Sequence, residues 1–271
     1  MRARPLLVIS TVAIALIAGC GGSAGSAGSA GTTSTTSTTS TTNTTGSVGS
    51  NDLASKSGNQ IVAAAVAATK AQSSFHFVES AGSGTSGVII VGDVGTSSGE
   101  QHITVGNGST KGHVTVLLSA KTAYFSGDAV GLEGFTGLTV KLATPLAGEW
   151  ISVPSTSPSF ASLAASLAVP TAAAQLVKLG GTLTRGGASK TFGHASIAVK
   201  ATQSSSSGSL SLTMYVATKG AALPILVEGT TQVKGSAARS VSARFSGWGE
   251  AVRVTAPKSA VPITSVKSLA G

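Results

Sequence analysis

The feature that most restricts the fold is a change in hydrophobic period near residue 75. From there on, apolar and polar residues alternate in short runs, beginning with Phe75 and Phe77 on either side of His76. Turn segments rich in Gly, Ser and Asn separate the runs. Short alternating runs with tight connections are typical of antiparallel strands that bury one face and expose the other. The sequence therefore predicts an antiparallel meander.

This alternation predicts about ten strands in two groups. The first group lies around Phe75–Phe77, Val88–Ile90, Ile103–Val105, Val114–Leu118, Tyr124 and Glu149–Val153. The second group comprises Ala195–Lys200, Ser209–Ala217, Ile225–Val233, Arg239–Phe245 and a last strand near Ala251–Val254.

Helical segments precede the first group and separate the two groups. Ser57 and Gln60 form a capping-box pattern that starts a helix running to about Gln72. The stretch 131–142 is ambiguous, whereas Ser157 and Pro158 start a helix that Pro170 ends, followed by a second helix over 171–179. We therefore expect an α+β fold, with a large antiparallel sheet and helices packed over one face.

The N-terminus has the pattern of a bacterial lipoprotein signal. Arg2 and Arg4 precede an apolar run over 6–18, which is too short to span a bilayer. The run ends in Ile-Ala-Gly-Cys at 17–20, and Cys20 is the single cysteine of the chain. A lone cysteine in an exported protein forms no internal disulfide, so lipidation of Cys20 is the favoured interpretation. A plain secretion signal with an incidental cysteine is the alternative.

Composition divides the chain into four parts. Residues 1–19 are predicted to be the signal peptide, and residues 20–57 a lipid-anchored disordered tether rich in Gly, Ser and Thr. Such a tether has too little apolar surface to offset the entropy of ordering it. Residues 58–266 are expected to form one domain, and 267–271 a short tail. The predicted location is the extracytoplasmic face of the cell membrane.

The charge of the chain argues against nucleic acid as a partner. Without Arg2 and Arg4, the chain has 16 basic and nine acidic residues, a net charge of +7. The basic residues are well separated along the sequence and not interleaved with aromatic residues, as nucleic-acid binding would require. A solvated basic surface is the simplest expectation, and weak attraction to anionic lipid headgroups remains open.

The motifs indicate neither catalysis nor a metal or cofactor site. The segment 95–99 matches the G-x-S-x-G pattern around Ser97, but it is predicted to lie between two antiparallel strands. A nucleophile elbow instead needs a strand-to-helix turn. The four histidines show no metal-ligand spacing. We expect a non-enzymatic protein; an esterase that uses Ser97 is the alternative.

A series of short phrases, in this order, resembles the LppX/LprAFG lipoproteins of actinobacteria, which are relatives of the LolA and LolB carriers. The phrases are AQSSFHF (71–77), GEWISVP (148–154), YVATK (215–219), LPI (223–225), FSGWG (245–249) and VRVTAP (252–257). The resemblance spans 59–262. It implies a curved antiparallel half-barrel closed by helices, with an internal apolar cavity and no catalytic residues.

Together, the resemblance and the lipobox imply an anchored carrier of lipid or glycolipid, with a transport partner in the envelope that the residues do not identify. The alternative is a surface structural or interaction lipoprotein with a filled core. The residues expected to line a cavity lie on the apolar sides of four predicted strands. They are Val88, Ile90, Val114, Val116, Leu118, Leu210, Leu212 and Met214.

Overall fold

The computed structural model describes residues 50–83, 86–171, 179 and 181–266. The predicted signal peptide and Cys20 lie outside this part of the chain, as do most of the predicted helix 171–179 and the predicted tail 267–271.

The described residues form twelve strands in one open sheet. In chain order, the strands are β1 (Phe75–Ser83), β2 (Ser86–Val94), β3 (Ser98–Asn107), β4 (Thr110–Ser119), β5 (Thr122–Gly127), β6 (Ile151–Pro154), β7 (Thr182–Thr191), β8 (His194–Ser205), β9 (Gly208–Ala217), β10 (Pro224–Val233), β11 (Arg239–Ser246) and β12 (Val261–Pro262). The helices are α1 (Gly58–Lys70), α2 (Ala129–Thr136), α3 (Val140–Ala143) and α4 (Phe160–Ser166). Single 3-10 turns cover Leu53–Ser55, Thr144–Leu146 and Ile263–Ser265.

Two meanders lie side by side in the sheet. Its order is β12-β6-β5-β4-β3-β2-β1-β11-β10-β9-β8-β7, so the first strand joins the two meanders by pairing with the eleventh. The β1–β11 pairing is antiparallel and runs from His76 opposite Ser246 to Gly82 opposite Ser240. All pairs are antiparallel except β12 with β6. The predicted α+β class and large antiparallel sheet are therefore confirmed, with twelve strands in place of about ten.

One face of the sheet, called the inner face here, is buried. In β1 the buried residues alternate with less buried ones from Phe75 to Ala81, as period two requires. Helices cover this face at close range. A side chain on Gly112 of β4 would place its Cβ 2.2 Å from the backbone nitrogen of Gly131 in α2. Only glycine therefore fits at this contact between sheet and helix.

Helix α1 begins as its capping box predicts. The Gln60 amide donates to Ser57 Oγ at 3.3 Å, and the Ser57 amide donates to Gln60 Oε1 at 2.9 Å. The helix buries Ile61, Val62 and Ala65 in the same core cluster as the sheet. The ambiguous stretch 131–142 contributes to α2 and α3.

The prediction of a strand near Ala251–Val254 is wrong. These residues form no strand, because β11 already pairs on both sides with β1 and β10 and offers no open edge. The chain instead pairs later, through β12, with the free edge of β6. Strand β7 was not predicted, because its sequence is polar and contains two glycines at a register shift between Arg185 and Ala188.

Two predicted boundaries differ from the structure. Helix α4 ends at Ser166 rather than at Pro170, and its N-cap is Ser159, whose side chain makes no capping bond.

At the N-terminal side of the domain, the last residues assigned to the tether pack on the domain. Leu53 is buried in the core cluster, and the backbone N–H of Asn51 donates to Thr218 O at 3.1 Å. A buried leucine and backbone pairing extend the folded unit back to at least Ser50.

Candidate functional site

The aromatic end of the sheet is where β1 begins and β11 ends. Here the ring of Phe75 lies 5.9 Å from that of Phe245 and 5.0 Å from that of Trp248, measured between centroids. Phe77 lies 6.1 Å from Phe75 and is almost fully buried. Rings at these separations attract one another beyond the area that they bury. This end of the inner face is therefore filled.

The mouth end is the opposite end of the same strands, where β1 turns into β2. A cavity of about 480 Å³ opens there on the inner side, and we call it the mouth cavity. Its apolar wall includes Ala81, Val88 and Val105. Ligand pockets of proteins typically measure about 300–1,000 Å³ and are mostly apolar with a few polar groups. The mouth cavity falls within that range.

Polar groups lie at the rim of the mouth cavity. Its lining includes the hydroxyl-bearing Ser83, Ser86 and Ser236, together with Arg239 at the start of β11. Arg239 has the parity of the buried Val241 and Phe245 along β11, so it belongs to the inner side of the strand. Its guanidinium offers five donors suited to a phosphate or carboxylate. The lining of the mouth cavity therefore combines an apolar wall with one cationic group at the rim.

Facing glycines shape the β1–β2 hairpin between the mouth cavity and the other side of the sheet. Gly82 pairs with Gly87, and Gly87 pairs with Gly106 of β3. A Cβ on Gly87 would lie 2.9 Å from Ala81 O. The outer side of this row therefore has no side chains across three strands. A second cavity of about 530 Å³ lies there, with Ile89 and Lys111 in its lining.

The eight residues predicted to line a cavity fall into three groups. Val88 lies in the wall of the mouth cavity and also borders the outer cavity. Leu210 is partly buried and packs against the core. The remaining six are at least 96% buried in the core cluster: Ile90, Val114, Val116, Leu118, Leu212 and Met214. Their role in ligand binding stays a prediction.

Two polar side chains interrupt the inner face deeper in. Gln101 is 1% exposed, and its amide donates to Ser166 Oγ of α4 at 3.4 Å. Glu79 is 3% exposed and lies between Phe77 and Ala81 on β1, where its strand neighbours are Ile90 and Ala243. A buried carboxylate is costly unless it is compensated. The alternation places both residues on the inner face, Glu79 two residues after Phe77 and Gln101 two residues before Ile103, but neither residue belongs to a recognisable motif.

The histidines and Ser97 lie away from the inner face. His76 Nδ1 lies 2.9 Å from Asp93 Oδ1 on the outer face, and His102 Nε2 lies 2.9 Å from Glu100 Oε1. Among the described residues, no group of three or more His, Cys, Asp or Glu is arranged to hold a metal ion. Ser97 lies in the exposed turn between antiparallel β2 and β3, so its backbone does not form a strand-to-helix elbow.

The described residues thus form an open α+β sheet. Aromatic rings fill one end of its inner face, and the mouth cavity opens at the other end.

Among solved structures, the chain is similar to LprF from Mycobacterium bovis, with 17% identity and a TM-score of 0.49 over 77% of this chain and 99% of that chain. It is also similar to the Mycobacterium tuberculosis lipoprotein LppX, with 16% identity and a TM-score of 0.45 over 73% and 99% of the two chains.

A third similar structure is an uncharacterized conserved protein from Thermus thermophilus, with 6% identity and a TM-score of 0.37 over 75% of this chain and 96% of that chain. No protein-family model matches the sequence, and no curated protein matches it. The resemblance noted in the sequence is to the same lipoproteins, LppX and LprF, that the structural comparison finds.

Proposed function

We propose that this protein is a non-enzymatic carrier that binds lipid or glycolipid through the mouth cavity and works outside the cytoplasmic membrane, anchored by acylated Cys20. The observation that carries the proposal is the mouth cavity itself, which joins an apolar wall to a hydroxyl-rich rim with one cation. Acyl chains gain about 0.8 kcal/mol for each methylene removed from water. An apolar wall beneath a polar rim suits a molecule with a tail and a headgroup.

The cavity orients such a ligand. The aromatic end is filled by Phe75, Phe77 and Phe245, so entry from that side would require displacing buried rings. At the mouth, by contrast, the guanidinium of Arg239 and the hydroxyls of Ser83 and Ser236 line the cavity and suit a polar headgroup. The tail would therefore point inward along β1 and β2, with the headgroup at the rim.

Anchoring and ligand binding are separate tasks in this proposal. Two or more acyl chains on Cys20 would hold the protein at the membrane, because a single chain gives only marginal binding. None of the described helices combines the length and hydropathy of a membrane span. The Cys20→Ser variant is expected to leave the membrane fraction while its fold and lipid uptake persist; retention in the membrane fraction would contradict the proposed anchor.

The direct test is native mass spectrometry of the chain from residue 20 onward with Cys20→Ser, which retains every described residue. Phospholipid and glycolipid are offered in turn, and complexes of defined added mass are expected. The Val88→Trp variant should reduce uptake, because the larger side chain would occupy the mouth cavity. Val91→Trp is the matched control, since Val91 is on the outer side of the same strand and outside both cavities.

One observation favours the alternative of a surface structural or interaction lipoprotein. Six of the predicted cavity residues are fully packed in the core cluster, as a filled interior requires. The same experiment separates the two functions. No lipid recovered with the protein and none taken up in vitro would contradict the carrier and favour the alternative. Uptake that Val88→Trp leaves unchanged would move the ligand away from the mouth cavity.

A further inference from the structure

The described charges are distributed unequally between the two meanders. Residues 75–154, which hold strands β1–β6, carry three basic and six acidic residues. Residues 182–246, which hold strands β7–β11, carry seven basic residues and one acidic residue: Arg185, Lys190, Lys200, Lys219, Lys234, Arg239 and Arg244 against Glu228. These two groups of strands occupy separate halves of the sheet, so a chain that looks evenly basic in sequence folds into one basic and one slightly acidic half of the sheet.

A large apolar side chain projects from the basic half. Phe192 at the tip of the β7–β8 hairpin is 53% exposed, and the guanidinium carbon of Arg244 lies 4.1 Å from its ring centroid. Such cation–π contacts hold a ring and a cation together at a water-exposed position. The contact keeps Phe192 on the outer face, close to the exposed part of β11.

The backbone at Phe192 disfavours the residue that occupies it. Phe192 has φ 48° and the following Gly193 has φ 84°, so the two-residue turn has positive φ at both positions. Turns of this kind favour Asn-Gly, because bulky side chains adopt positive φ only with strain. An exposed phenylalanine here contributes little to the core and costs stability. A strained residue kept at the surface points to a function for its side chain.

Two further outward residues extend this part of the surface. They are Leu226 on β10 and Tyr215 on β9. Leu226 lies opposite Arg244 of β11 on one side and opposite Tyr215 on the other. The Tyr215 hydroxyl donates to Glu228 Oε1 at 3.2 Å, and burial together with the charge of Glu228 raises the pKa of that tyrosine. The phenol therefore stays neutral in ordinary buffers. Phe192, Leu226 and Tyr215 thus form an amphipathic strip beside Arg244.

The chain also enters the domain at this end of the second meander. Ser50 forms a bridge with Lys219, and Asn51 N donates to Thr218 O. Thr218 N in turn donates to Ala195 O at 3.0 Å, and Ala195 pairs with Lys190. The residues before 50, among them the predicted anchor Cys20, therefore connect to the domain within a few residues of the Phe192 hairpin.

We infer that the end of the second meander formed by Lys190, Phe192, Lys219 and Arg244 docks on an anionic lipid bilayer. Each Lys or Arg near an anionic membrane contributes about 1 kcal/mol, and exposed aromatic rings enter the headgroup region. Phe192 supplies the apolar contact, and the surrounding cations supply the attraction. The surface requires no ligand in the mouth cavity, so it stands apart from the carrier function.

Vesicle flotation of the chain from residue 20 with Cys20→Ser tests this docking without an acyl anchor. Binding is expected to vesicles of phosphatidylcholine mixed with phosphatidylglycerol, and it should weaken strongly between low and physiological salt because exposed charges are screened. Phe192→Asn should reduce the partition coefficient about tenfold, and Arg244→Gln about fivefold. Asn suits the turn, so a loss of binding by Phe192→Asn will not reflect unfolding.

The first meander provides matched controls. Ile89 is 51% exposed on its outer face, so Ile89→Asn removes a comparable apolar surface. Lys121→Gln removes one exposed charge from the turn between β4 and β5. Both controls should bind like the parent chain. Equal loss in the controls, unchanged binding by Phe192→Asn, or salt-independent binding to phosphatidylcholine alone would each overturn the proposed surface.

Discussion

Strands β1, β2 and β11 pair in the same way at both of their ends, but the side chains on the inner face differ between the two ends. At the aromatic end, Phe75, Phe77, Phe245 and Trp248 pack ring against ring. At the mouth end, the same three strands carry mostly Ala, Gly and Ser beside Val88 and Arg239, and a cavity of about 480 Å³ remains. Aromatic residues are only 4% of the chain, so gathering four of the eleven here leaves few large side chains for the other end. We therefore expect the aromatic end of these strands to contribute most to stability, while the mouth end keeps the cavity open.

Phe77→Ala provides the strongest test of this division. Its side chain is 2% exposed, and truncating a buried Phe typically costs about 3–5 kcal/mol in the free energy of unfolding. Val88→Ala at the mouth should cost less than about 1 kcal/mol, because a cavity already borders it. Urea unfolding of both variants measures the contrast. Equal losses would mean that the mouth is packed as tightly as the aromatic end.

Gly92→Ala tests how tightly the aromatic end is filled. A Cβ on Gly92 would lie 2.5 Å from Glu100 O and 2.8 Å from Phe77 Cε1. Overpacking of this kind should cost about 1–3 kcal/mol. The control is Gly134→Ala in α2, whose Cβ would make ordinary contact with Val105 at 3.4 Å. That change should raise stability by up to about 1 kcal/mol through helix propensity. A thermal melt in which Gly92→Ala matches the parent would contradict the tight packing.

Arg239→Gln tests the rim of the mouth. It should reduce the uptake of lipids with anionic headgroups by at most about fivefold, since an exposed charge contributes little. Uptake of lipids with neutral headgroups should stay the same, as should the free energy of unfolding. Lys111→Gln, which borders the outer cavity, is the control. Competition between anionic and neutral lipids in native mass spectrometry gives the ratio; an equal change for both lipids would exclude a headgroup role.

The smallest expected change concerns the exposed aromatic at the tip of the β7–β8 hairpin. Phe192→Asn should stabilise the protein by about 0.5–1 kcal/mol, because Asn-Gly suits a turn with two positive φ angles. The lost contact with Arg244 offsets part of this gain. A shift of about 2–4 °C in Tm per kcal/mol makes the effect measurable by calorimetry. Destabilisation by more than about 1 kcal/mol would mean that Phe192 belongs to the core.

Local signals predicted much of the fold. The capping box at Ser57 and the alternation in β1 depend on neighbours within a few residues, and both appear in the structure. The strand near Ala251 failed for a nonlocal reason, because strand pairing depends on which edges are already occupied. Strand β7 escaped prediction because an edge strand needs no apolar pattern.

The candidate site was less visible in the sequence than the fold. The segments containing Gly82 and Gly87 look like ordinary turn material, and only the register makes them face each other. Arg239 is one of many separated basic residues until β11 pairs with β1. Val88 was predicted from its parity, but the packing of Ile90 or Val116 depends on helices whose positions the alternation does not encode. Cavities arise from tertiary placement, which residue patterns describe poorly.

The point where the chain enters the domain also determines how a mechanical load would travel through it. The side-chain amide of Asn51 donates to Ala217 O at 2.8 Å and to Gly220 O at 3.2 Å, beside the backbone bond to Thr218. A pull on residues before 50 would reach these bonds first and pass into β9, which lies between β8 and β10. These bonds would therefore carry the load at the end of β9, before it reaches the backbone of α1, whereas the mouth cavity lies at the opposite end of the strands.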